Sequence, residues 1–383
     1  MTKKLLKDTA ILQIIPSLNI GGAEKTCIKI ANLLAENGAH SFIASNGGIL
    51  QSDLSKQVTH ISGPFHSKNP FKIISNAFRL IRYIKKHDIK IIHAHSRAPA
   101  WSAWLACILT KAIFVTTFHA PYNSQNLFKK YYNSIMLKGQ RTIVVSKYIT
   151  DFIHTHFRID KSLDLIYPDL DTDFYHQKAI DLKKIDALKK KWRIKKTDFV
   201  LITTSRLSRR AGHLDLIKAL SYLKPDLPIK LLIIGPEKHN SSYKQDLNGL
   251  ILKTGLSKKI YFIGAVKETR EFYRLADCFI SPSHQEALGR TILEALSCET
   301  FSIITDVGAA RELITDQKTG FIIPPQSPHC LADRIEKAMK LSTKAKSVMT
   351  KNARKHIEKH FSKKIVEQKI LNFYTQTIKT IVK

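Results

Sequence analysis

The chain has 383 residues, 44% hydrophobic and 24% charged, which is ample for packed cores and long enough that two domains are the natural expectation. Sixty-two Lys and Arg oppose 31 Asp and Glu; the formal net charge of +31 attracts polyanions such as nucleic acid, anionic lipid head groups or a phosphorylated glycolipid. No run approaches the ~18 apolar residues of a membrane-spanning helix, and five scattered cysteines without a CxxC pair argue against a disulfide framework or structural zinc.

At the N-terminus lysines precede an apolar run, as in a signal peptide. Asp8 and Gln13 interrupt the run and no small-residue cleavage site follows, so 10–15 reads as a buried first strand and the protein as cytoplasmic. Strand-like runs at 11–15, 41–45, 89–95, 113–118 and 142–146 alternate with amphipathic stretches at 23–36, 71–86 and 98–109, the mark of βαβ units and a parallel sheet. The lysine-dense segment 176–197 reads as a linker helix with a solvated face. A second series of strands follows at 199–205, 229–235, 259–264, 277–283 and 301–306. After Pro328 the pattern is helical to the end, with a break near Phe361 and Ser362.

The expected architecture is α/β, with two doubly wound Rossmann-like domains facing a central cleft and ligands at the carboxyl ends of the strands. The boundaries predicted are 1–175 for the first domain, 176–197 for the linker and 198–360 for the second domain. The helix 361–383 is expected to pack back on the first domain.

The segment 281–296, SPSHQEALGRTILEAL, carries the most chemistry. Its loop runs through Gly289 into a helix, whose free amides and dipole suit a phosphate. Glu286 in the loop could bind sugar hydroxyls, and Glu294, about two turns into the helix, could bind a ribose. Each could equally be a solvated glutamate.

Other constellations lie where strands end. In NIGGAEK, Gly21 and Gly22 permit close backbone approach, without the GxGxxG fingerprint of a dinucleotide enzyme. His93 and His95 share one strand face, but nothing nearby completes a metal site; cleft contact is expected for them over core packing. His119, ahead of Ala120 and Pro121, sits in a rigid turn from which it could hydrogen-bond a substrate hydroxyl, or serve structure alone. Arg206, Arg209 and Arg210 surround a turn containing Gly212, suited to neutralising a diphosphate. Gly308 opens a further helix start with Glu312 one turn in. The DxD match at Asp171 and Asp173 lies at the presumed exit from the first domain and is discounted as a metal site.

Taken in order, GGAE, HAHS, FHAP, VSKYI, the Arg206 turn, EALGRTILEAL and VGAARE resemble family 4 of the retaining glycosyltransferases, of GT-B fold, along nearly the whole chain. Within that family the chain looks like the bacterial enzymes that extend the lipopolysaccharide core. The resemblance implies that a nucleotide-sugar donor, UDP- or GDP-linked, binds mainly to the second domain. Glu294 would take the ribose, Glu286 with Ala287, Leu288, Gly289 and Arg290 the sugar and phosphate, and Arg206 the diphosphate. His119 would contact the donor sugar near the reacting centre, and Gly21 and Gly22 would let a first-domain loop approach the diphosphate and acceptor. It implies retention by front-face substitution, with no cofactor and no essential metal.

Three positions depart from the family pattern. Ala211 replaces a lysine before Gly212, Glu299-Thr300-Phe301 replaces a Gly-x-Pro turn, and Pro168-Asp169 replaces Asn-Gly. Arg209 or Arg210 could stand in for the lysine.

The expected function is hexosyl transfer to a lipid-linked or lipopolysaccharide acceptor by a protein held peripherally at the inner face of the cytoplasmic membrane. Three alternatives remain open: a nucleotide-sugar epimerase on the same fold, a basic membrane- or nucleic-acid-binding protein, and a degenerate family member. No aromatic stacking cluster or recognition-helix motif supports a specific nucleic-acid partner.

Overall fold

A computed structural model describes residues 5–19, 21–122, 126–237 and 242–382. They form two compact units: Met1–Pro168 with Lys364–Lys383, and Asp169–Lys363.

The first unit alternates β1 (Ala10–Ile14), α1 (Gly22–Glu36), β2 (His40–Ser45), β3 (Thr59–Ser62), α2 (Pro70–His87), β4 (Ile89–Ala94), α3 (Arg97–Ile108), β5 (Ile113–Phe118), α4 (Leu127–Ser134), β6 (Arg141–Val144), α5 (Lys147–Phe157) and β7 (Asp164–Leu165). The second contains α6 (Leu182–Lys191), β8 (Phe199–Thr204), α7 (His213–Ser221), β9 (Ile229–Ile234), α8 (Ser242–Lys253), β10 (Ile260–Gly264), α9 (Arg270–Leu275) and β11 (Cys278–Ser281). It continues with α10 (Arg290–Ser297), β12 (Ser302–Thr305), α11 (Ala310–Leu313), β13 (Phe321–Ile323), α12 (Pro328–Lys340) and α13 (Thr343–Phe361), before α14 (Lys363–Val382).

Both sheets are parallel. The first runs β3-β2-β1-β4-β5-β6-β7 and the second β10-β9-β8-β11-β12-β13. Each reverses strand order beside its first strand, β1 or β8, as doubly wound sheets do. Because helices cover both faces, the central strands are near-continuous apolar runs; all five residues of β1 are buried.

Local chemistry fixes the helix ends. Asn69 caps α2 by accepting from the amides of Phe71 and Lys72, Pro70 supplies a pre-set first residue, and Asp88 stops the helix in the left-handed region. Helix α14 buries Val366, Ile370, Phe373, Tyr374 and Ile378 against Ile91, Val115 and Ile143 of the first sheet. Its spacing of three and four residues makes one apolar stripe. That stripe places the end of the chain in the first unit.

Three strands escaped the sequence reading: β3, β7 and β13 are edge strands of four, two and three residues. An edge strand buries less and needs no long apolar run. The first compact unit runs to Pro168, where 175 was expected, and the linker-helix segment 176–197 falls within the second. Within it α6 buries Ile185 and sets Lys184 Nζ 3.6 Å from Glu271, inside the second unit. The C-terminal helical run also breaks at Leu341 and Ser342, where Ser342 caps α13 by accepting from Ala345 N.

Candidate functional site

In the second unit, β8, β11 and β12 each end in a turn leading to a helix, and the three turns are locked together. Gly212, at φ +70°, lies so close to the Pro282 carbonyl that any Cβ would overlap it, and Gly308, at φ +57°, stands in the same relation to the Glu286 carbonyl. Only glycine fits both the conformation and the space. The Arg210 carbonyl accepts from His284 N at 2.8 Å. His284 Nε2 meets Asp215 Oδ2 of α7 at 2.6 Å. The arginine turn, the 282–289 loop and the Gly308 turn are thereby one assembly.

Glu286 lies within this loop, and its carboxylate accepts from the amide of Ala287 at 3.1 Å and from the backbone of Gly289. Burial raises its pKa above the ordinary carboxylate value, while the two amides pull it down. Gly289, at φ +86°, caps α10. The amides of Ile292 and Leu293 return to the Gly289 carbonyl, so those of Arg290 and Thr291 have no intrahelical acceptor. Leu288 is buried beneath the loop and Ala287 is half-buried.

Glu294 is more enclosed than a surface helix residue, at 7% exposure. Tyr273 Oη donates to its Oε2 at 3.0 Å and Thr269 Oγ1 at 3.3 Å, while Arg290 Nε stands 3.5 Å from its Oε1. The acceptor capacity left for a ligand is chiefly on Oε1. Tyr175 also packs here, and burial together with Glu294 raises its pKa.

The three arginines divide. Arg209 pairs with Asp246 of α8 at 2.6 Å and lies over the Tyr243 ring, so its charge is already answered. Arg206 and Arg210 are exposed and carry no ion pair or side-chain hydrogen bond among the described residues. Ala211, at the missing lysine, is buried in the turn.

In the first unit the histidines form a chain of contacts. His119 Nε2 meets His95 Nδ1 at 3.0 Å, and His95 Nε2 meets Gln13 Oε1 at 2.8 Å. Gln13 Nε2 donates to Tyr374 Oη of α14 at 2.9 Å, Tyr374 Oη meets His93 Nδ1 at 2.6 Å, and His93 Nε2 meets Thr117 Oγ1 at 2.7 Å. With the Gln13 amide so placed, His95 carries its proton on Nε2, His119 donates from Nε2, and His119 Nδ1 is left as an acceptor. Desolvation keeps the rings neutral, lowering His93 to about 3, His119 to about 4 and His95 well below the usual histidine range.

The expectation of cleft contact over core packing for His93 and His95 is overturned: both are buried and spend both nitrogens inside the unit. His119 is half-buried at the open end of the chain. Gln13 and Tyr374 lie in none of the sequence motifs. The one available signal was a glutamine inside an otherwise apolar strand. Gly21 and Gly22 start α1 without positive φ; a Cβ at Gly22 would meet open space, whereas one at Gly21 would meet the Glu24 carboxylate. Asp171 accepts from Phe174 N at 2.9 Å and holds a turn. Among the described residues no group of three His, Cys, Asp or Glu could hold a metal ion.

Comparison with known proteins gives two family matches. The model described as Glycosyltransferase Family 4 matches residues 20–174, and that described as Glycosyl transferases group 1 matches residues 184–356. The chain is similar to a glycosyltransferase from Rickettsia africae ESF-5, 32% identical, over 98% of this chain and 99% of that one, at a TM-score of 0.88. Anabaena Alr3699/HepE, solved in complex with UDP, is 19% identical over 96% of this chain and 100% of its own, at a TM-score of 0.84, a likeness of fold. N-acetyl-alpha-D-glucosaminyl L-malate synthase of Bacillus anthracis is 23% identical over 365 residues, 91% of this chain and 93% of that protein.

Proposed function

The chain belongs to the family 4 glycosyltransferases of GT-B fold, and we propose that it moves a hexose from UDP- or GDP-sugar to a lipid-linked saccharide, as in lipopolysaccharide core or other surface glycan synthesis. The observation that carries the donor reading is the locked assembly of turns in the second unit. It presents the open amides of Arg290 and Thr291, the Glu286 carboxylate, and Arg206 and Arg210, unpaired among the described residues. Amides at a helix start and guanidinium groups answer a diphosphate, and carboxylates answer sugar and ribose hydroxyls. Glu286, with Ala287, Leu288, Gly289 and Arg290, holds the sugar and its phosphate. Glu294 takes the ribose through Oε1.

In the transfer the acceptor oxygen bonds to the anomeric carbon as the bond from that carbon to the diphosphate oxygen breaks. The leaving phosphate takes the acceptor proton, and configuration is retained. Arg206 and Arg210 stabilise the developing charge, so the reaction needs no metal. His119 accepts a hydroxyl of the donor sugar at Nδ1, while Gly21 and Gly22 leave room at the start of α1 for diphosphate and acceptor.

No helix among the described residues is long and apolar enough to cross a membrane. The charge of +31 supports peripheral attachment at the inner, anionic face. The test is mass-detected transfer from a panel of UDP- and GDP-sugars to membrane lipid extract, with and without EDTA, and with L-malate as a soluble acceptor. Turnover on lipid in EDTA is expected. Transfer to malate alone would move the reading to a small hydroxy acid, as in the name of the Bacillus anthracis relative. Donor consumption without acceptor and without hydrolysis would indicate an epimerase.

A further inference from the structure

Helix α2 lays Phe71, Ile74 and Phe78 along one face at helical spacing, and all three are exposed, Phe71 at 83%. A core-facing helix would bury such a stripe, and this one already has a buried face in Ala77, Leu80 and Ile84. Helix α4 repeats the pattern: Leu127, Phe128 and Tyr131 are exposed, Phe128 at 89%. The two helices flank α3. Ser102 Oγ of α3 donates to the Ile73 carbonyl of α2 at 3.0 Å, and its neighbour Trp101 donates from Nε1 to the Tyr132 carbonyl of α4 at 3.3 Å.

Charge separates the candidate occupants. Between residues 54 and 150 stand fifteen Lys and Arg and one acid, Asp88, which pairs with Lys90 at 2.6 Å. On α2 the apolar stripe continues into Arg82 and Lys85, with Lys72, Arg79 and Lys86 beside it; on α4 Lys129 and Lys130 follow Phe128. A second copy of this chain meeting the same surface would oppose cation to cation. Nucleic acid would answer the cations but leave the aliphatic and aromatic side chains uncovered. An anionic bilayer answers both: apolar side chains enter the boundary between head groups and acyl chains, while Lys and Arg stay at the phosphates.

We infer that the exposed faces of α2 and α4 dock the first unit onto an anionic lipid surface. This deepens the proposal of a lipid-linked acceptor, and it fails or stands separately from that proposal. The experiment is co-sedimentation of the full chain, without donor or acceptor, with vesicles of phosphatidylcholine alone and of phosphatidylcholine with phosphatidylglycerol. Variants are Phe71→Ser with Phe78→Ser, Leu127→Ser with Phe128→Ser, and Arg79→Glu with Arg82→Glu, each kept only if its melting temperature matches the parent.

The parent should bind anionic vesicles at least ~10-fold more tightly than neutral ones, and each double variant should weaken that binding ~10-fold or more. The inference is overturned if the parent ignores anionic vesicles, if folded variants bind as the parent does, or if the apolar substitutions only dissolve a dimer seen by sedimentation velocity. Competition by DNA that the apolar substitutions do not alter also overturns it. Loss of transfer with vesicle binding intact would sink the acceptor proposal and leave the surface standing.

Discussion

The polar clusters of the two units solve opposite problems. In the first unit six polar side chains, from Thr117 through His93, Tyr374, Gln13 and His95 to His119, are joined within hydrogen-bond distance in a largely buried network. In the second unit the arginine turn and the start of α10 keep exposed guanidinium groups and amides without intrahelical acceptors. A saturated network positions one group, here His119, at little further cost because its members satisfy one another. An unsaturated one at the surface keeps its donors for a ligand. Polar residues at strand ends look alike in sequence, and their partners decide which kind they are.

That contrast can be broken most severely at Glu286. Glu286→Ala should lower transfer ~100-fold or more with little loss of melting temperature, since the side chain serves its own loop and the donor. Unchanged turnover would remove Glu286 from the site. In the first unit the balance should reverse. Gln13→Leu leaves His95 Nε2 without a partner inside the fold and takes from Tyr374 Oη one of its two, and should cost about 2–3 kcal/mol of stability by denaturant titration; a cost near zero would show that the chain does not matter.

Stability should also fall in acid. The unfolded histidines take up protons near pH 6.5, whereas folded His93 and His119 stay neutral until about 3 and about 4. Above pH 6.5 neither state is protonated and the full stability is present. Between 6.5 and 4 only the unfolded state gains protons, so stability drops by up to ~1.4 kcal/mol per pH unit for each such ring. A flat pH profile of unfolding free energy across that window would contradict the neutral assignment.

A smaller effect is expected at Glu299. This residue follows α10 at φ +55°, where the family pattern has glycine. A side chain in the left-handed region is strained, so Glu299→Gly should raise stability by about 1 kcal/mol. Smallest of all, Arg209→Ala should leave donor affinity within ~2-fold, because Arg209 is paired with Asp246 on the surface. Arg206→Ala and Arg210→Ala should weaken it ~10-fold or more by isothermal titration. Equal effects at all three positions would erase the distinction between answered and open charges.

Much of this protein was legible in its sequence. The alternation of apolar runs with amphipathic stretches gave two parallel sheets, since strands covered on both faces must be apolar throughout. Glycine before a helical pattern marked the turns at Gly212, Gly289 and Gly308, and the motif order gave the family. The short edge strands β3, β7 and β13 left too little pattern to read.

Only the tertiary structure decided which polar residues are spent and which are open. Gln13 and Tyr374 lie 361 positions apart, and no local pattern links them. Arg209 and Arg210 are chain neighbours, yet one faces Asp246 and the other is unpaired among the described residues. The physical reason is that propensity and periodicity act over one or two turns of chain, whereas a hydrogen bond or ion pair needs a partner that folding alone brings within about 3 Å.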